Sequence, residues 1–302
     1  MQYPLSEKQV QFYKTEGYLV VERLYSRDDL QRVEQTIRDL TQRALAGGDF
    51  SKVLELEPEP VNGERVPRRI YSPFEQHETF RALATDDRLL DKIECLIGHS
   101  FGLQHSKLNM KPAKVGSVVD WHQDLSYFPH TNTDIVTTLI YLDDATEQNG
   151  CLQIIPRHQY HLFNHWTDDG QFAGMITEDL DGGRFGKPVP LAAPAGSAIF
   201  MHCLTPHASL PNRSDKARKT LIFEYRAADS FPIYYGEKIV HDESFVHHLR
   251  GEPARFARFG GPPPYVPRIT KQTKSLYQLQ AETKAKVAEK GQKLPTVAAA
   301  AN

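Results

Sequence analysis

Leu30, Val33, Ile37, Leu40 and Ala44 recur at intervals of three and four, which places them on one stripe of a helix. Ser26 and Asp29 stand ahead of that stripe as a capping box, and the Gly47-Gly48 pair stops it. A shorter helix is expected from Ser6 to Gly17, followed by a strand in "YLVV" at 18 to 21, and a third helix in "DDRLLDKIECLIG" at 86 to 98. The first third of the chain therefore reads as mainly helical.

From residue 101 the pattern shortens to β-rich runs: "FGLQHSKLNM", "DIVTTLIYLDD", "CLQIIP", "PVPLAAP", "SAIFMHC" and "KTLIFEYRA". Gly, Pro, Asn and Asp clusters separate them, the pattern of a closed barrel or jelly roll. After residue 250 the chain turns Pro/Gly-rich ("GGPPPYVP") and then Lys/Gln-rich. That tail reads as one exposed helix through Leu276, Leu279 and Val287 or as partly disordered, with "KLPTVAAAAN" frayed. No internal repeat is visible. The expected layout is one structural domain, mainly β with flanking helices: a helical part over 1-100, a β core over 101-250, and an extension over 251-302.

Composition narrows the partners. The 302 residues are 40% hydrophobic and 25% charged with a formal charge of -2, ample for a core and without the basic footprint that nucleic acid or an anionic membrane needs. Three cysteines, Cys95, Cys151 and Cys203, do not form a paired framework and suit a reducing compartment. No targeting peptide and no membrane-length apolar run is present, so a cytoplasmic protein, monomer or homodimer, is expected.

The chemistry starts at "DWHQDLSYFPH", residues 120 to 130. In an extended segment His122 and Asp124 point to one side and Gln123 to the other. An H-x-D alone is more often a loop than a ligand pair. A second histidine would complete the two-His, one-carboxylate set of non-heme Fe(II) oxygenases. His207 is the chosen partner: it follows the apolar run "SAIFMHC", Ser209 shares its face, and Arg218 opens the next strand beyond the turn "PNRSD". His202, inside that run, is the nearest competitor and reads as a structural histidine. "RHQYHLFNHW" holds His158, His161 and His165 at helical spacing but no acidic residue or Cys, so hydrogen bonding or substrate contact is favoured over zinc there. With Fe(II), three ligands leave positions for 2-oxoglutarate and dioxygen. Arg218 and Ser209 can then clamp the distal carboxylate, and the charges of metal, Asp124, co-substrate and Arg218 cancel.

These residues resemble the phytanoyl-CoA dioxygenase (PhyH) family of Fe(II)/2-oxoglutarate-dependent oxygenases. The resemblance rests on "LNMKP" (108 to 112), "WHQDLSYFP" (121 to 129), "EQNGCLQIIP" (147 to 156), "GSAIF" (196 to 200) and "TPHASLPNRSDKARK" (205 to 219), and covers about residues 5 to 230. It implies a double-stranded β-helix (cupin-like jelly-roll) core, with His122, Asp124 and His207 as iron ligands and Arg218 with Ser209 as the 2-oxoglutarate clamp. Asn109 matches a co-substrate contact. Halogenating relatives lack the carboxylate that Asp124 supplies here, which favours hydroxylation.

The resulting expectation is a dioxygenase that hydroxylates a C-H bond of a small organic molecule or acyl thioester, releasing succinate and CO2. The alternatives are desaturation, cyclisation or epimerisation on the same cofactor, and a non-catalytic cupin-like metal-binding protein. Substrate contacts are expected at Tyr127 and Phe128 and, across the site, at His165 and Trp166. The segment "NGERVPRRIYSPF" at 62 to 74, which in relatives often covers the barrel mouth, adds Arg69 with Arg65 and Arg68 as partners for a carboxylate, phosphate or CoA group, or as plain surface arginines.

Overall fold

The computed structural model describes residues 1–47, 50–61, 63–115, 117–180, 185–233, 246–262 and 276–289. Gly48, Asn62, the "KLPTVAAAAN" tail and the later part of "GGPPPYVP" lie outside them.

Alternation along the strands explains the layering. The chain runs α1 (Glu7–Glu16), β1 (Tyr18–Val21), α2 (Arg27–Ala46), β2 (Leu54–Leu56), β3 (Pro67–Tyr71), α3 (Pro73–Gln76), α4 (Glu78–Ala84) and α5 (Asp87–Ile97). It continues through β4 (Phe101–Lys111), β5 (Val119–His122), a 3-10 turn (Asp124–Ser126), β6 (Ile135–Tyr141), β7 (Leu152–Ile154), β8 (Val189–Pro190), β9 (Ala198–His202), β10 (His207–Ser209), β11 (Arg218–Ala227), β12 (His247–Arg250) and α6 (Leu276–Glu289). The larger sheet has the order β1-β9-β6-β11-β4-β3-β2, with β12 also on β4, and the smaller has β5-β10-β7-β8. All pairings are antiparallel. This is the jelly-roll core expected from the strand spacing.

On β11, Leu221, Phe223 and Tyr225 turn outward into a core shared with Val33, Ile37 and Leu40 of α2 and Leu89 and Ile93 of α5. The intervening Ile222 turns inward and packs with Leu139, Tyr141, Leu152 and Ile154 between the sheets. Strand β4 follows the same rule: Leu108 and Met110 face the helices, whereas Lys107, Asn109 and Lys111 face the cavity between the sheets. The helices thus bury one face of the large sheet and leave the other to the chemistry.

The capping box at Ser26 forms as expected, and Ser6 caps α1 as expected, there too as a capping box, with Gln9. The first hundred residues hold α1 to α5 together with β1, β2 and β3, which join the large sheet. Two expectations need correction. The segment around Arg68 and Arg69 is accordingly wall rather than cover: β3 pairs with β4, and both arginines are buried. Nor is the tail helix exposed. Tyr277, Gln280, Thr283 and Val287 of α6 are buried against the mouth of the small sheet.

Candidate functional site

Antiparallel pairing of β5 with β10 sets His122 directly opposite His207, and their rings stand 4.0 Å apart. The 3-10 turn that follows β5 swings Asp124 back to the same point, where its Oδ1 lies 3.7 Å from His207 Nε2. Ligand atoms of all three residues lie within 4.8 Å of one another, and all three are buried. It is the metal-compatible group found among the described residues.

Supporting contacts fix which atoms are offered. His122 Nδ1 bonds the Asp120 carbonyl (2.8 Å) and His207 Nδ1 the Thr205 carbonyl (3.0 Å), so each ring turns Nε2 inward. Thr137 on β6 donates to Asp124 Oδ2 at 2.6 Å and leaves Oδ1 to the centre. Burial, followed by the neighbouring His207, pushes the His122 imidazole well below its ordinary pKa and holds it in the neutral, metal-binding form. Gln123 does face away. Its side chain donates to the His161 and Leu204 carbonyls (2.6 and 2.5 Å) and accepts from Phe163 N (2.8 Å). Its backbone N–H donates to His165 Nε2 at 3.1 Å. The "RHQYHLFNHW" segment is therefore a loop that braces the ligand turn, and His158 bonds the Phe185 carbonyl. His202 accepts from Leu204 N (3.1 Å) and packs near Tyr13, a structural histidine.

Arg218 lies at the start of β11 in the same cavity, 6% exposed. Its Nη1 donates to Thr220 Oγ1 at 2.6 Å, while its buried Nε has no hydrogen-bond partner among the described residues. No carboxylate there lies within ion-pair distance of it. A buried guanidinium left in this state carries a desolvation cost that an anionic ligand would offset. Burial lowers its pKa and pushes that of nearby Lys111 well down, with the Arg218 charge adding to the effect on Lys111. Lys111 Nζ ties down the carbonyls of Ser117 and Leu210 (2.6 Å each) and, at 3.4 Å, Ser209. Asn109, Ser209, Thr220, Leu276 and Tyr277 complete the walls of a cavity of about 50 Å³.

The donor set thus fits a divalent iron, and the unpaired arginine fits a dicarboxylate. Of the expected substrate residues, none lines that cavity. Tyr127 sets its ring edge against His122 (5.7 Å) and donates to the Gly174 carbonyl. Phe128 packs on His105, Trp166 packs on Phe172, and Arg69 donates to Asn109 Oδ1 (3.1 Å). Arg65 is exposed over Phe50. Sequence reasoning passed over Thr137, Lys111, Gln123 and Tyr277. Only Gln123, locked between two ligands, carried a local signal.

A jelly roll holding a buried two-His, one-carboxylate centre beside an unpaired arginine defines the class of Fe(II)- and 2-oxoglutarate-dependent oxygenases, and the comparisons agree. Residues 13–220 match the family model described as phytanoyl-CoA dioxygenase (PhyH), and the chain belongs to that family. Similar proteins include a "Probable alpha-ketoglutarate-dependent hypophosphite dioxygenase" of Stutzerimonas stutzeri, 28% identical over 73% of this chain and 78% of its own. Another is a methylphosphonate hydroxylase of Gimesia maris, 28% identical over 85% of this chain and 95% of its own. In fold, EctD of S. alaskensis, solved with 2-oxoglutarate and 5-hydroxyectoine, superposes with a TM-score of 0.65 at 20% identity, covering 85% of this chain and 88% of that one. The protein is an Fe(II)/2-oxoglutarate-dependent dioxygenase. Among the described residues no helix is long and apolar enough to cross a membrane.

Proposed function

We propose that His122, Asp124 and His207 hold the Fe(II), that Arg218 with Ser209 binds the distal carboxylate of 2-oxoglutarate, and that Asn109 contacts the same co-substrate. The observation that carries this reading is the buried Arg218, whose Nε is unpartnered in the cavity that the three ligands share. A closed structural metal site needs four protein ligands and no such cation, which weighs against the non-catalytic alternative.

Bound Fe(II) with 2-oxoglutarate supplies the dioxygen activation that converts the co-substrate to succinate and CO2 and oxidises a substrate bond. The chain's own residues do the positioning. Thr137 and the two backbone carbonyls fix ligand orientation, and Lys111 pins the Ser209–Leu210 backbone beside Arg218. Leu139, Leu152 and Ile222 make an apolar wall that excludes water. We assign hydroxylation of a small molecule as the outcome.

Two measurements test this. Under anaerobic conditions Fe(II) and 2-oxoglutarate together should give a visible charge-transfer band in the wild type, and Arg218→Leu should need at least about 30-fold more 2-oxoglutarate to reach it. In a substrate screen scored by succinate release, labelled dioxygen should add one labelled oxygen atom to the product. A product that has only lost hydrogen would assign desaturation or ring closure instead.

A further inference from the structure

Tyr277, at the start of α6, lines the metal cavity, and its ring covers the guanidinium groups of Arg68 and Arg69 at 4.3 and 5.0 Å. Both arginines are buried. Glu55 pairs closely with Arg68 (2.6 Å) but reaches Arg69 only at 3.8 Å. The closest hydrogen-bond partner of Arg69 is a neutral one, Asn109 Oδ1. Glu57, also buried, accepts from Ser117 through Oε2 (2.9 Å) and makes no ion pair with Arg69 among the described residues. Arg69 is thus a weakly paired buried cation one ring's thickness from the cavity.

Its position sets it apart from the co-substrate clamp. Register places Arg69 opposite Asn109 on β4, and Asn109 opposite Thr220 on β11, two residues along from Arg218. The two arginines therefore sit two strands apart, roughly 10 Å across the sheet. A dicarboxylate on Arg218 leaves Arg69 unused.

The roof over Arg69 is fastened largely by polar contacts. Gln280 accepts from Asp120 N (3.1 Å) and donates to the Gly174 carbonyl (2.9 Å), Thr283 donates to the Ala173 carbonyl (2.8 Å), and Lys284 pairs with Asp120 (2.6 Å). Water can replace such contacts when the helix lifts, so undocking costs less than tearing apart an apolar core. The cavity of about 50 Å³ has room for only a few water molecules. Of the residues lining it, Tyr277 is the one whose ring lies over Arg69, so a ligand reaching Arg69 from the cavity has to move that ring.

We propose that Arg69 is the substrate's anion subsite, that Tyr277 covers it in the unliganded enzyme, and that the substrate is a small oxyanion such as a carboxylate or phosphonate. This rests on the reading of the centre as an Fe(II)/2-oxoglutarate site. The full-length protein loaded with Mn(II) and 2-oxoglutarate should be titrated calorimetrically with phosphate, methylphosphonate and malonate. At least one should bind the wild type. Arg69→Gln should weaken it tenfold or more while weakening 2-oxoglutarate, which Arg69 touches only through Asn109, by a clearly smaller factor, and Arg69→Lys should recover part of the loss. Tyr277→Ala should tighten it, while Tyr277→Phe should match the wild type. Binding of none of the three anions, equal affinity in Arg69→Gln, or no tightening in Tyr277→Ala overturns the proposal while the cofactor reading stands. Failure of 2-oxoglutarate itself to bind the wild type would bring down both.

Discussion

At the scale of single residues, the two histidines on either side of the Pro206 turn separate chemistry from structure. His207 turns Nε2 to the centre, whereas His202 spends its Nδ1 on the Leu204 N–H and is half-buried, with the loss of hydration lowering its pKa to about 4. His207→Ala should abolish Mn(II) binding measured by electron paramagnetic resonance with little change in melting temperature. His202→Ala should retain Mn(II) binding but melt earlier. The reverse pattern would exchange their roles. The three ligands and Arg218 were legible in the chain because each sits in a short motif whose spacing carries the geometry. Thr137 and Lys111 were not, because each is placed by register against strands far away in sequence.

At the scale of elements, long alternating runs such as Phe101–Lys111 and Arg218–Ala227 announced themselves, and β7 and β8 fall inside the short runs "CLQIIP" and "PVPLAAP", whereas β2 and β10 hold three residues each and carry too little period to read. "PRRIY" was expected in a segment covering the barrel mouth, with its arginines as anion partners or plain surface residues. What allows them inside a sheet is Glu55 and the Tyr277 ring, one 13 residues away and the other on the last described helix. The turn before β7 shows how an element supports the site. Gly150 has φ +73, and a Cβ there would collide with the Leu210 carbonyl oxygen, the same oxygen that holds Lys111. Gly150→Ala should destabilise the protein by at least about 1 to 3 kcal/mol in urea unfolding. It should also weaken 2-oxoglutarate binding by moving Ser209, and a variant with full stability and normal affinity would refute this coupling.

Across the whole molecule, several histidines are folded in as neutral groups. Burial lowers His130 and His165 to about 4 each, from an ordinary value near 6.5. Their folded-state pKa values lie below the unfolded ones, so the fold has its full share of this stability above about pH 6.5. That share is lost progressively as the pH falls towards 4, where protonation favours the unfolded chain. The melting temperature should therefore drop steeply between pH 6.5 and 4, and His130→Gln should flatten part of that drop. A melting curve indifferent to pH over this interval would show that these rings are not held neutral. Cys151 and Cys203 are buried free thiols.

The placement of α6 has a consequence for how such an enzyme can diversify. His122, Asp124, His207 and Arg218, the residues proposed for metal and co-substrate, stand on the two sheets or the loops tied to them, while the roof is carried by a separate helix beyond the 13–220 family match. Selection can therefore rewrite what enters the pocket by exchanging residues of one docked helix, provided that its Gln280 and Lys284 contacts to Asp120, whose carbonyl orients His122, are kept. Chimaeras that graft foreign tail helices onto this barrel offer a direct route to new substrate ranges.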